Sequence, residues 1–175
     1  MVGVEMSEDE TLENIKKEIK RIMEDSEYSY KGHFESAKYW RYSNYALMIA
    51  SIASVCASLA FVYDDSDNFW SGSIAIVSGF ITMLLIFLKP QEKYLSHQNS
   101  GNKYLAIRNK ARIFLEIESK NMNLEQQMES LKKLVSKKSK LNNTSLPISE
   151  YGYKSAKKQI EIDKNTQYRV DKEQK

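Results

Sequence analysis

The 175 residues carry 26 Lys/Arg against 23 Asp/Glu, a net charge of +3. That length fits one domain and not a membrane anchor with a separate enzyme beside it. One cysteine, Cys56, excludes an intramolecular disulfide and a cysteine-based zinc cluster and reads as a small apolar filler. The mean hydropathy of −0.54 suggests a soluble chain, but the charge is laid out in blocks. Residues 1–42 have a net charge of −3, residues 43–88 of −3 from three aspartates alone, and residues 89–175 of +9.

In chain order, residues 1–10 read as a disordered N-terminus, with Ser7 or Asp9 available as a helix cap. Residues 11–42 then read as a cytoplasmic helix leading into the first apolar run. Leu12, Ile15, Ile19, Ile22 and Ser26 recur at three- and four-residue steps, a narrow stripe of the coiled-coil type. An aromatic stretch follows: Tyr28, Tyr30, Phe34, Tyr39, Trp40, Tyr42 and Tyr45. The last three suit a membrane–water interface, where an amphipathic ring sits half wet; those upstream suit packing against a partner helix.

The next two elements organise the chain. Residues 43–63 and 68–88 are runs of 21 residues without a charged side chain, separated by Asp64, Asp65, Ser66 and Asp67. At about 1.5 Å per residue each run spans roughly 32 Å as a helix, close to the hydrocarbon thickness of a bilayer. A helix satisfies its backbone polar groups within one segment, so two transmembrane helices joined by a short external turn are expected. The competing reading is a buried helical hairpin of a soluble protein. No secretory signal is visible, because the first apolar run follows 42 polar residues. Lys31, Lys38 and Arg41 precede the spans, Lys89, Lys93 and Lys103 follow them, and the turn has no Lys or Arg. The positive-inside rule therefore places both termini in the cytoplasm.

Both spans carry small residues at four-residue spacing: Ala46, Ala50, Ser54 and Ser58 in the first, Ser71, Ala75 and Gly79 in the second. Such rows let helix backbones approach closely in lipid. The plain reading is tight packing of the hairpin on itself. A sharper one adds a weakly polar Ser/Thr strip, including Ser78 and Thr82, that faces other protomers or a water path. Asp64, Asp65 and Asp67 are explained by capping and solubility; in an oligomer they would also form an acidic ring that attracts cations at a pore mouth.

Lys89 and Pro90 end the second span, and helix resumes at once. Residues 89–141 read as cytoplasmic helices. Tyr94, Leu95, Tyr104, Leu105, Arg108, Ala111 and Leu115, widened by Ile107, Phe114 and Ile117, mark one apolar face; Met128, Leu131, Leu134 and Val135 mark another. Residues 142–148 read as a linker, 149–165 as an amphipathic helix with Tyr153, Ala156 and Ile160 aligned, and 166–175 as a tail. Lys132, Lys133, Lys137, Lys138, Lys140, Lys154, Lys157 and Lys158 form a basic patch. It is a candidate for anionic lipid or a partner, against the plainer reading of a solvated helix face. The expected fold is thus an all-α membrane protein: a two-helix transmembrane hairpin whose cytoplasmic extensions pack as an antiparallel bundle. His33 and His97 lie about nine residues from their spans and can meet there; a structural pair is the plain reading, a proton sensor the sharper one.

The six glycines form no phosphate-binding loop, there is no metal-ligand spacing, and no nucleophile has a plausible base. Neither an enzyme nor a cofactor is expected, and nucleic acid is not the expected partner. With no charge inside either run, a proton relay or voltage sensor is not expected either.

Two spans with a minimal acidic turn, the Tyr/Trp-rich lead-in from Tyr28 to Tyr45, the basic helix after Lys89–Pro90, the segment Tyr94 to Arg112 and the late segment Pro147 to Ala156 together resemble the SLATT domain, the SMODS- and SLOG-associating two-transmembrane effector. The resemblance covers roughly residues 10–165. It implies an effector of a bacterial anti-phage conflict system, nucleotide-signalled or reverse-transcriptase-linked, that oligomerises in the inner membrane and perturbs or permeabilises it. The implied partners are the lipid bilayer, further copies of the chain, and a cytoplasmic sensor or nucleotide-second-messenger system acting in trans. A membrane-anchored helical scaffold that recruits a cytoplasmic partner, without pore activity, explains the same helices and is the alternative expectation.

Overall fold

The structure is a computed structural model that describes residues 7–63 and 68–163. The acidic turn with Asp64, Asp65 and Asp67, residues 1–6, the tail from 164 onward and the side chain of Ser71 lie outside the described residues. All the elements described are helical: α1 (Glu8–Tyr63), α2 (Asn68–Leu88), α3 (Pro90–Glu116), a 3₁₀ segment (Glu118–Asn121), α4 (Leu124–Thr144), α5 (Glu150–Lys157) and a π turn (Lys158–Ile162). The fold is all-α. The chain divides into two compact units: residues 37–96, and residues 1–36 together with 97–175.

Residues 37–96 hold the second half of α1, all of α2 and the first turns of α3. Both α1 and α2 are long and apolar enough to cross a membrane. Side chains of α1 meet both α2 and the start of α3. Lys93 Nζ sits 4.3 Å from the centre of the Trp40 ring. Eleven residues further along α1 and eleven back in the chain, Ser51 Oγ lies 3.1 Å from Thr82 Oγ1. Leu88 closes α2. Lys89 then takes a left-handed φ of 45° and leaves the helix; the ring of the proline that follows disfavours the right-handed helical region for the preceding residue, which is why α2 stops here. Pro90 opens α3 at the position where no backbone donor is needed. The Lys89 N–H donates to Leu85 O, and Lys89 O accepts from the Lys93 N–H, so the break costs little hydrogen bonding.

The other unit has a conventional core. Ile15, Ile19 and Ile22 of α1, Tyr104, Ile107, Ala111 and Phe114 of α3, and Leu134 and Leu141 of α4 form one buried cluster. Its α1 members are the apolar stripe of the sequence, and Ser26 continues it, fully buried. Contacts step in opposite senses along α1 and α3: His33 meets His97, the Phe34 ring lies over Gly101, and Glu27 lies beside Arg108. Gly101 is there for close approach, since a Cβ on it would lie 2.6 Å from the Phe34 ring. At the far end of α3, the Gln127 amide donates to Ser119 O at 2.9 Å and Met122 O at 3.0 Å, and a reciprocal Asn123–Gln126 capping box starts α4.

Several boundaries and faces differ from the sequence expectation. α1 begins at Glu8, because Ser7 Oγ accepts the Glu10 N–H. The helical stretch to residue 141 is interrupted at the 3₁₀ segment. α4 runs on to Thr144, held by Asn142 Oδ1, which accepts from the Tyr104 hydroxyl at 2.7 Å, so the linker is shorter. The last helix begins at Glu150, capped by Ser149 Oγ, and helix ends with the π turn at Ile162. Ile117 and Val135 are exposed, although the periodicity placed them on apolar faces. On α5 the contact is made by Gly152 and Ala156, while Tyr153 is turned outward and stacks on Tyr28. A side chain at 152 would bring a Cβ within 2.7 Å of Gly32 O.

Candidate functional site

The first candidate is the surface of the α1–α2 hairpin. Of its most apolar 18-residue stretches, 0% of the first and 6% of the second is buried within the protein. Ile52, Leu59, Ile76, Phe80, Met83 and Phe87 all project outward, Ile76 with 76% of its surface exposed and Phe87 with 82%. The core helix of a soluble protein hides such a stretch; this hairpin presents it.

Polar side chains occupy the seam instead. Ser78 is buried. Thr82 Oγ1 donates to Ser78 O at 2.9 Å. Its single proton is thereby committed, so the Ser51 hydroxyl is the donor in the Ser51–Thr82 hydrogen bond. Ser54 Oγ donates to Ser51 O at 2.9 Å. The hydroxyls of Ser51, Ser54 and Thr82 are thus each satisfied within the protein.

The small residues nominated from the sequence are split by this arrangement. Ala46, Ala50, Ala75 and Gly79 are exposed, and Ser54 and Ser58 are half-buried. A Cβ on Gly79 would meet nothing within 4 Å. The hairpin therefore closes through Ser51, Ser78 and Thr82, and leaves the alanine and glycine positions on its outside. Ser51 carried no signal of its own in the sequence, because it lies outside the row of Ala46, Ala50, Ser54 and Ser58.

The eight lysines of the basic patch are also separated. Lys133 pairs with Glu129 at 2.6 Å, Lys154 with Glu150 at 2.6 Å, Lys157 with Glu161 at 3.9 Å, and Lys138 with Asp25 of α1. Lys137 and Lys140 instead line a groove with Lys103 and Lys110 of α3; the α3 pair stands more than twenty residues upstream of the patch and was missed for that reason.

A buried polar cluster lies between α1 and α3. His33 Nδ1 and His97 Nδ1 are 2.9 Å apart, and the His33 ring stacks on Tyr104 at 5.4 Å. One nitrogen must donate and the other accept, so the accepting ring is neutral and carries its proton on Nε2. His33 is 1% exposed. Burial, with the neighbouring His97 second, lowers its pKa to about 4, and burial lowers that of His97. Burial likewise raises the Tyr104 hydroxyl. Nearby, Glu27 lies 3.7 Å from Lys31 Nζ and 3.9 Å from Arg108 Nε, all three side chains nearly enclosed. Burial pulls the Lys31 pKa down, against the opposing pull of Glu27. Nothing in the cluster forms a group of three or more metal-ligating residues among the described residues.

Compared with family models, with curated proteins and with solved structures, the chain matches none.

Proposed function

We propose that this chain is a membrane-perturbing effector. Its hairpin spans a bacterial inner membrane with both termini in the cytoplasm, copies associate through the exposed small residues of the hairpin, and the assembly depolarises or permeabilises the bilayer as part of an anti-phage system. The observation that carries this reading is the pair of helices, each long enough to cross, whose apolar stretches stay almost wholly unburied. The Ser51–Thr82 hydrogen bond supports it, since it satisfies two hydroxyls within the hairpin while the large side chains turned outward in mid-span, Ile52, Ile76, Phe80 and Met83, are apolar. The cytoplasmic helices form an antiparallel bundle in this reading, and a sensor in trans acts on them. The resemblance to the SLATT domain supplies the defence role.

The test is induced expression in a bacterial host with a membrane-potential dye and a dye that enters only permeabilised cells. Wild type is compared with Gly79→Leu and Ser54→Leu at matched membrane abundance. Gly79→Leu is the more informative variant, because its side chain meets nothing in the hairpin itself. Rapid depolarisation by wild type and its loss in Gly79→Leu is the expected result. Equal depolarisation by both would remove the assembly surface. No depolarisation by wild type, even with neighbouring genes co-expressed, would leave a membrane-anchored scaffold in its place.

A further inference from the structure

We propose that the groove between α3 and α4 is a binding site for a compact polyphosphate group. The groove encloses about 400 Å³ and is lined by Lys103, Ala106, Ile107 and Lys110 on one wall and Leu134, Lys137, Lys140, Leu141 and Thr144 on the other. That volume lies in the range of small-molecule sites. Four lysines surround it and no acidic residue lines it. Neither Lys103, Lys110, Lys137 nor Lys140 has a carboxylate partner among the described residues, whereas Lys133 and Lys138 of the same helix are paired. The positive potential of the groove is therefore uncompensated by carboxylates paired to these lysines among the described residues.

The chemistry of the occupant follows from what the groove lacks. Ile107, Leu134 and Leu141, its floor, are already buried. An apolar occupant would gain little area there. What is missing is negative charge, and enough of it in a small volume to meet lysines on both walls. An acidic helix spreads its carboxylates some 5–6 Å apart along one face and relies on apolar anchors in the floor. A polyphosphate concentrates several charges in a chain of a few atoms and offers many acceptor oxygens to ammonium donors. The same group occurs on a soluble phosphate ester or on a lipid headgroup. This inference does not rest on the effector reading: a scaffold with the same cytoplasmic helices would hold the same site.

The experiment uses the full chain in micelles of a neutral detergent. Two probes are titrated in separate arms: sodium tripolyphosphate by calorimetry, and a diacylglycerol diphosphate doped into the micelles, followed by native mass spectrometry. The variant K103Q/K110Q/K137Q/K140Q is expected to weaken binding about tenfold or more, four exposed charge pairs being lost together. K133Q/K154Q, which removes two paired lysines, is expected to stay within about twofold of wild type. Circular dichroism checks the fold. Should the quadruple variant lose helix, K103Q/K137Q takes one lysine from each wall, with an expected loss of about threefold. Tripolyphosphate binding with this pattern identifies a soluble ligand; binding in the doped micelles alone identifies a headgroup. No binding of either probe below about 1 mM, or an equal loss in the groove and paired-lysine variants, overturns the proposal.

Discussion

The two units of this protein bury opposite kinds of side chain. In the unit of residues 1–36 and 97–175, Phe114, Ile19 and Leu134 are inside and the charges are mostly outside. In residues 37–96, Ile52, Leu59, Ile76, Phe80, Met83 and Phe87 are outside, and among the described residues of α2 the buried side chain is Ser78, with Thr82 one turn on bonded to Ser51. On the proposed membrane-spanning reading, each pattern answers its solvent. Water drives apolar groups inward, so the first unit is held by area removed from water. Lipid is as apolar as leucine, so a hairpin in lipid gains nothing by hiding isoleucine and closes instead through close packing and a few hydrogen bonds.

The largest test of this contrast replaces Ile52 and Ile76 with lysine. Both side chains are exposed and mid-helix. In water such changes stay within about 0.5 kcal/mol. At the centre of a bilayer each costs about 2.5–3.5 kcal/mol on the insertion scale. The double variant is expected to lose carbonate-resistant membrane association altogether; retention of membrane-bound protein at wild-type level would remove the membrane reading of the hairpin.

A smaller effect separates the units by pH. His33 titrates freely near 6.5 when unfolded and near 4 when folded. The folded state resists the proton, so this contribution to stability is whole above pH 6.5 and is lost as pH falls from 6.5 towards 4, by roughly 3 kcal/mol at the acid end. Thermal melts of the core unit, read through Tyr104 and the other aromatics around it, should drop over that window. His33→Phe with His97→Phe should flatten the drop, because the titrating pair is gone while ring packing on Tyr104 is kept. An unchanged slope in the double variant would assign the pH dependence to the carboxylates instead.

The smallest expected effect lies in the seam. Ser51→Ala, Thr82→Ala and the double variant form a cycle whose coupling should be about 0.6 kcal/mol, the typical value for a hydrogen bond between helices in a membrane. It can be read from the unfolding of reconstituted protein. A coupling near zero would mean that the helices close by packing alone.

Much of the fold was legible because it depends on local pattern. The two charge-free runs required helices of spanning length, and the steps Ile15, Ile19, Ile22 and Ser26 identified the buried face of α1 before any partner was known. Helix ends were less legible. The cap on Ser7 and the Tyr104–Asn142 hydrogen bond that holds the end of α4 depend on side chains that leave no periodic trace. The grouping of the candidate residues was not legible: spacing along the chain did not show that Ser51 meets Thr82 or that Lys137 and Lys140 line one groove with Lys103 and Lys110.

Composition and spacing by themselves determined that the chain is helical, where its apolar helices lie and which stripe of α1 is inside, since these follow from runs of three to twenty-one neighbouring residues. Only the tertiary structure decided that Ser51 meets Thr82 while Gly79 stays outside, that His33 and His97 share a hydrogen bond, and that Lys137 and Lys140 join Lys103 and Lys110 while Lys133 and Lys138 are neutralised. Each of those outcomes depends on which faces of distant helices meet and in what register, and a one-residue change of register turns a helical side chain by about 100°.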